Sequence, residues 1–161
     1  MLETRAATIA DAALITAHRR AMFSAMGSGT PESLEEMSRH FEPWVIPRLA
    51  DGRYLGWITL DGDRPIASVG LLLLDWPPHA LHPGSAERGY ILNLFVEPEY
   101  RRRGLARAHV ELCLAEARLR NIVIVTLHAS SEGRPLYEAL GFSASNEMQF
   151  RNHPPSYLLP R

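Results

Sequence analysis

Residues 90–107, YILNLFVEPEYRRRGLAR, restrict the fold of this chain more than any other stretch. The run YILNLFV has the length and composition of a buried strand. Pro98 and Glu99 turn the chain out of it. Gly104 then opens a segment whose Leu105, Val110, Leu112, Cys113 and Ala117 gather roughly on one side of a helix reaching about residue 119. Residues 122–127, IVIVTL, read again as a strand of the fully buried kind. Strand, helix and strand in this order predict a right-handed crossover between parallel strands.

The loop inside that crossover has the chemistry of a phosphate cradle. A helix N-terminus presents unpaired backbone N–H groups and a partial positive charge. Gly104 and Ala106 carry little or no side chain, so phosphates can approach the main chain closely. Arg101, Arg102, Arg103 and Arg107 add positive charge around it. A nucleic-acid patch, or a solvated turn, is the plainer reading of three consecutive arginines. Neither requires the strand before them or the small residues after them.

The remaining elements follow from period and punctuation. Residues 2–8 read as a strand. Asp11, or Thr8 before it, caps a helix to about residue 26, with Leu14, Ala17, Ala21, Met22 and Ala25 on one face. Gly27, Ser28 and Gly29 break it, and Pro31 opens a second helical stretch whose Glu32, Glu35 and Glu36 suit the dipole. Pro43 and Pro47 predict that this stretch is kinked or split before Asp51. Strands at 53–60 and 65–74 are joined by Asp61-Gly62-Asp63, a hairpin signal. Residues 75–89 form a Pro-rich loop. A short helix over 131–140 stops at Gly141, with Phe142 supplying the contact after the cap. Residues 143–151 read as a last strand, giving the order β-α-α-β-β-β-α-β-α-β.

Bulk properties narrow the function classes. At 161 residues, without repeats or linkers, the chain is expected to form one domain over 1–161. A net charge of −1 leaves nothing global to attract nucleic acid or an acidic membrane, so neither is an expected partner. All 17 basic residues are arginine. Cys113 is the single cysteine, at an apolar helical position, which excludes an intrachain disulfide and a cysteine-based metal cluster. MLETRAAT has no apolar run of signal length, so a reducing, cytoplasmic setting is expected.

Arg101-x-x-Gly104-x-Ala106 resembles the acyl-CoA-binding signature [QR]-x-x-G-x-[GA] of the GNAT superfamily of N-acetyltransferases. LYEALGF, residues 136–142, is similar to that family's second signature, and the element order matches over essentially the whole chain. The resemblance implies an α/β (α+β) GNAT fold: a mixed, mostly antiparallel central sheet with a splayed parallel strand pair, flanked by helices. It implies that strands 90–96 and 122–127 splay and that a pantetheine arm enters the gap. The arm would hydrogen-bond backbone groups around Leu94 and Val96. The pyrophosphate of acetyl-CoA would rest on the amides of residues 102–106, with Arg101, Arg102, Arg103, Gly104, Leu105, Ala106 and Arg107 as the cofactor-binding set. The family often has glycine where this chain has Arg102.

By the same resemblance the chain is an acyltransferase that moves an acetyl group from acetyl-CoA to a primary amine, in a ternary complex and without metal. A backbone N–H of the splayed strand would meet developing oxyanion charge. Tyr137 corresponds to the tyrosine that members commonly place beside the CoA sulfur, where a phenol can protonate the departing thiolate. Otherwise it is an aromatic core residue of a short helix. The glutamate that serves as base in several members is matched here by Tyr90, so no base is assigned. Glu87, Glu97, His79, His82 and His128 are the candidates, and Asn93 faces the opposite side of its strand from Leu92 and Leu94. Ser130, Ser131 and Arg134 are most simply the opening of the last helix. The acceptor is a small-molecule or peptide amine, and a homodimer accords with the habit of relatives. A catalytically silent acyl-CoA-binding or regulatory module of the same fold stays open beside the enzyme.

Overall fold

The period-two stretches and the turn between them build the centre of the sheet. The computed structural model describes residues 1–152. Strands β1 (Leu2–Ala6), β2 (Tyr54–Asp61), β3 (Arg64–Asp75), β4 (Glu87–Val96) and β5 (Val125–Thr126) lie in chain order across one mixed sheet. The first four pair antiparallel, and β5 joins β4 in parallel. Helices α1 (Ala12–Ala25) and α2 (Pro31–Asp51) follow β1, whereas α3 (Leu105–Leu119) makes the crossover from β4 to β5. The described residues pack as two compact units, 1–128 and 129–152; the second holds the short helix α4 (Arg134–Ala139).

One apolar layer joins α1, α2 and the sheet. Ala12 and Ile15 of α1, Phe41 and Val45 of α2 and Tyr54 of β2 form a buried cluster, against which Leu72 and Leu92 pack. Tyr54 lies over Gly70 so closely that a Cβ there would stand 2.2 Å from the phenolic oxygen. Glycine at that place is what lets the ring lie flat on the sheet.

Four local expectations are corrected. The second helix runs unbroken through Pro43 and Pro47. Both prolines are exposed and one turn apart, so the carbonyls they leave unbonded face water while Phe41 and Val45 anchor the opposite side. The strand expected over 122–127 is ordered as strand only at Val125–Thr126, and Val123 and Ile124 are exposed. No strand forms over 143–151, where Met148 and Phe150 are 94% and 87% exposed. Alternation alone does not make a strand without an edge to pair with. The last helix is also shorter than 131–140.

Candidate active site

The turn after β4 and the start of the next helix form where the sequence predicts them. After β4, Pro98–Tyr100 make one 3-10 turn, and Arg101 returns to extended backbone. Arg102 and Gly104 then adopt left-handed conformations, with φ of 62° and 82°. At Arg102 this is the geometry that favours glycine, which gives a physical reason for the family's preference there. Gly104 caps α3 and its carbonyl accepts from the Ala108 N–H, so the amides of Leu105, Ala106 and Arg107 have no partner within the helix. A Cβ added at Gly104 would meet no atom within 4 Å, so the helix opens onto free space. A pyrophosphate fits such a feature.

The arginines divide their work. Arg101 donates from Nε to the Val96 carbonyl at 3.0 Å, tying the loop back to β4. Arg103 lies over the Tyr100 ring, whose hydroxyl donates to Asp61 at 2.8 Å, and Arg64 pairs with Glu99 beside it. Arg107 pairs with Glu111 one turn along α3. Arg102 is exposed and forms no ion pair among the described residues. Of the four, Arg102 is the least committed to a partner within the protein.

Next to the cradle, β4 loses its parallel neighbour. The pairs Gly89–Val125 and Tyr90–Thr126 are the whole β4–β5 register, with the Gly89 N–H donating to the Ile124 carbonyl at 3.0 Å. From Ile91 to Val96 that edge of β4 has no strand beside it among the described residues. The strands splay at Tyr90. There the Tyr90 hydroxyl and His128 Nδ1 lie 2.5 Å apart, in an edge-on ring contact.

The splay coincides with a break in β4 itself. Gly70 pairs with Leu92 and Ser68 with Phe95, so two residues of β4, Asn93 and Leu94, oppose the single residue Val69. Asn93 has φ of 57° and is buried. Its Nδ2 donates to the Tyr54 hydroxyl at 2.9 Å, and its Oδ1 accepts from Arg19 Nη1 at 2.8 Å. Tyr54 and Leu92 belong to the same apolar layer, so Asn93 turns toward the face that Leu92 occupies. Its expected opposite orientation is corrected by this bulge.

The profile of the Acetyltransferase (GNAT) family matches residues 15–142. The chain belongs to this family. A GCN5-related N-acetyltransferase from Ralstonia eutropha is 42% identical over 94% of this chain and 98% of its own, with a TM-score of 0.88. A predicted acetyltransferase from Clostridium acetobutylicum, its crystal structure with acetyl-CoA, is 27% identical over 94% and 96% of the two chains, with a TM-score of 0.87. Glucosamine-6-phosphate N-acetyltransferase from Arabidopsis thaliana shares the fold at 18% identity, 95% and 98% coverage and a TM-score of 0.66. No curated protein matches the sequence.

The other GNAT site candidates fall in distinct places. His79 and His82 stack on each other, ring centroids 5.0 Å apart, across a small bridge in the loop before β4. Glu87 is the exposed first residue of β4, and Glu97 follows its last. In the C-terminal unit, Tyr137 lies on α4 in edge contact with Phe142, 5.8 Å between centroids, and Ser130 Oγ accepts from the Gly133 N–H before that helix. Cys113 is fully buried, and burial pushes its thiol up to about 12, which suits an inert core residue. Reasoning from sequence missed Arg19, a cation whose approach to Asn93 no local pattern signals.

Proposed function

We propose that the chain, acting as one domain over residues 1–161, transfers an acetyl group from acetyl-CoA to a primary amine in a ternary complex. The observation that carries this reading is the conjunction of an unpaired β4 edge beyond Tyr90 with the left-handed Gly104 that opens α3. An extended pantetheine arm suits the first, and a pyrophosphate suits the second. The family match spans residues 15–142 and so includes parts of both compact units, which supports a single working domain.

Acetyl-CoA supplies an activated thioester. The protein must supply proton transfers, because an alkyl ammonium with a pKa near about 10 does not attack until it is neutral. The Tyr90–His128 pair is placed for that task, since imidazole can take a proton through the phenol at the point of splay. Tyr137 is the proposed proton donor to the departing thiolate, on the strength of its place in LYEALGF. A small-molecule or peptide amine is the acceptor.

The test is thiol release from acetyl-CoA with an amine panel, in the wild type and in His128→Gln and Tyr90→Phe. Loss of at least about tenfold in kcat/KM below about pH 8, recovering at higher pH, fits a proton-accepting pair. Turnover indifferent to both substitutions removes the pair from the mechanism. Acetyl-CoA binding without turnover on any amine leaves an acyl-CoA-binding module.

A further inference from the structure

Arg19 is a cation on the sheet-facing side of α1 that the acetyl-transfer reading does not use. Its guanidinium lies between the rings of Phe23 and Phe41, 4.8 Å from each centroid. Nη1 donates to Asn93 Oδ1 at 2.8 Å. Nε is buried without a hydrogen-bond partner, and Nη2 donates to no described residue. Burial lowers its pKa, and the opposing contributions come from the phenols of Tyr54 and Tyr90, not from a carboxylate. Other polar groups in the core have partners: Asp11 is closed by Arg5, and His18 by Ser68.

A desolvated guanidinium without a counter-ion is costly, and two aromatic faces offset only part of that cost. The missing acceptors are on one edge. Nε and Nη2 share one edge of the guanidinium plane, and Nη2, which is not enclosed as Nε is, is the donor on that edge that a carboxylate oxygen can meet. That edge also lies near the proposed chemistry. Tyr90 pairs across the strands with Leu72, and Leu72, Leu92 and Tyr54 share the face that α1 and α2 cover. Asn93, which holds Arg19, is three residues beyond Tyr90 on β4, about 10 Å along a strand.

We propose that the acceptor amine carries a free carboxylate and that Arg19 binds it, making Arg19 the residue that selects an amino-acid-like acceptor. This rests on the acetyl-transfer reading and adds the class of its substrate. Phe23 and Phe41 keep the guanidinium plane fixed, and Asn93 holds one of its ends. The bulge in β4 therefore serves recognition as well as splay.

The test compares free amino acids, α to γ, with their carboxamides and with phosphoethanolamine in acetyl-CoA-dependent thiol release. The expected result is a preference of at least about tenfold in KM for the free acid. Arg19→Gln should erase it by raising KM for the acid, with kcat and the amide KM little changed, and Arg19→Lys should restore part. Binding of the N-acetyl amino acids and of their N-methylamides, followed by NMR with CoA present, gives the same comparison without turnover. Equal use and equal binding of acids and amides overturn the inference, as does preference for the phosphorylated amine or a ratio indifferent to Arg19→Gln. A parallel calorimetric titration with acetyl-CoA separates the two levels. Retained acetyl-CoA binding without carboxylate preference refutes only this inference, whereas absent acetyl-CoA binding refutes the transfer reading beneath it.

Discussion

His18 should make this protein lose stability on mild acidification, by an amount the structure allows to be worked out. Its ring is 5% exposed, tilts against Phe95 with centroids 4.7 Å apart, and shares a 2.7 Å hydrogen bond between Nδ1 and the Ser68 hydroxyl. Burial, reinforced by the neighbouring His109, lowers its pKa from 6.5 to about 4. The unfolded chain therefore takes up a proton below about pH 6.5 that the folded chain refuses until about pH 4. Stability is full above that window and falls as pH drops through it. Between about pH 6 and about pH 5 the linkage amounts to about 1 kcal/mol from His18 alone. Burial lowers His109 too, so its slope has the same sign. Asp11, held down to about 2 by Arg5 and Thr8, acts only at lower pH. Urea unfolding followed by circular dichroism at about pH 7.5, 6 and 5 measures the slope in the wild type and in His18→Gln. The variant should lose about 1 kcal/mol less between the two lower values. Equal slopes would refute the claim that His18 is buried neutral.

Substitutions at three further positions probe the scaffold, the helix start and the proposed chemistry. Gly70→Ala places a Cβ 2.2 Å from the Tyr54 hydroxyl, so the ring must tilt away from Asn93; a loss of about 2 kcal/mol in urea unfolding is expected. At the left-handed Arg102, the glycine variant should be more stable than the alanine variant by about 1 kcal/mol, and a reversed order would contradict the backbone assignment. Tyr137→Phe should lower kcat with acetyl-CoA affinity retained; unchanged turnover at saturating substrates removes the phenol from the mechanism.

Period and punctuation made most of the architecture legible. The crossover from β4 through α3 to β5, the hairpin at Asp61–Asp63 and the cap at Gly104 all follow from short-range rules. The misreadings share a cause. Pro43 and Pro47 break a helix on propensity, but their exposure on the side opposite Phe41 and Val45 is tertiary information. IVIVTL and the stretch around Met148 have strand composition, yet pairing depends on a neighbouring edge. Asn93 illustrates the limit at the site itself. Strict alternation puts its side chain on one face, and a single left-handed residue in the bulge puts it on the other, within reach of Tyr54 and Arg19. The sequence separation of 74 between Arg19 and Asn93 explains why no motif announces that contact.

The claim that α3 begins in an acetyl-CoA cradle is tested most directly by calorimetric titration of acetyl-CoA into the wild type and into Gly104→Glu. A carboxylate at the open, left-handed cap would meet the pyrophosphate head-on while touching little of the fold. The account predicts binding in the micromolar range, about −8 kcal/mol, for the wild type and none measurable for a folded Gly104→Glu. A folded wild type that does not bind acetyl-CoA, or a Gly104→Glu variant that binds it equally well, would contradict the account.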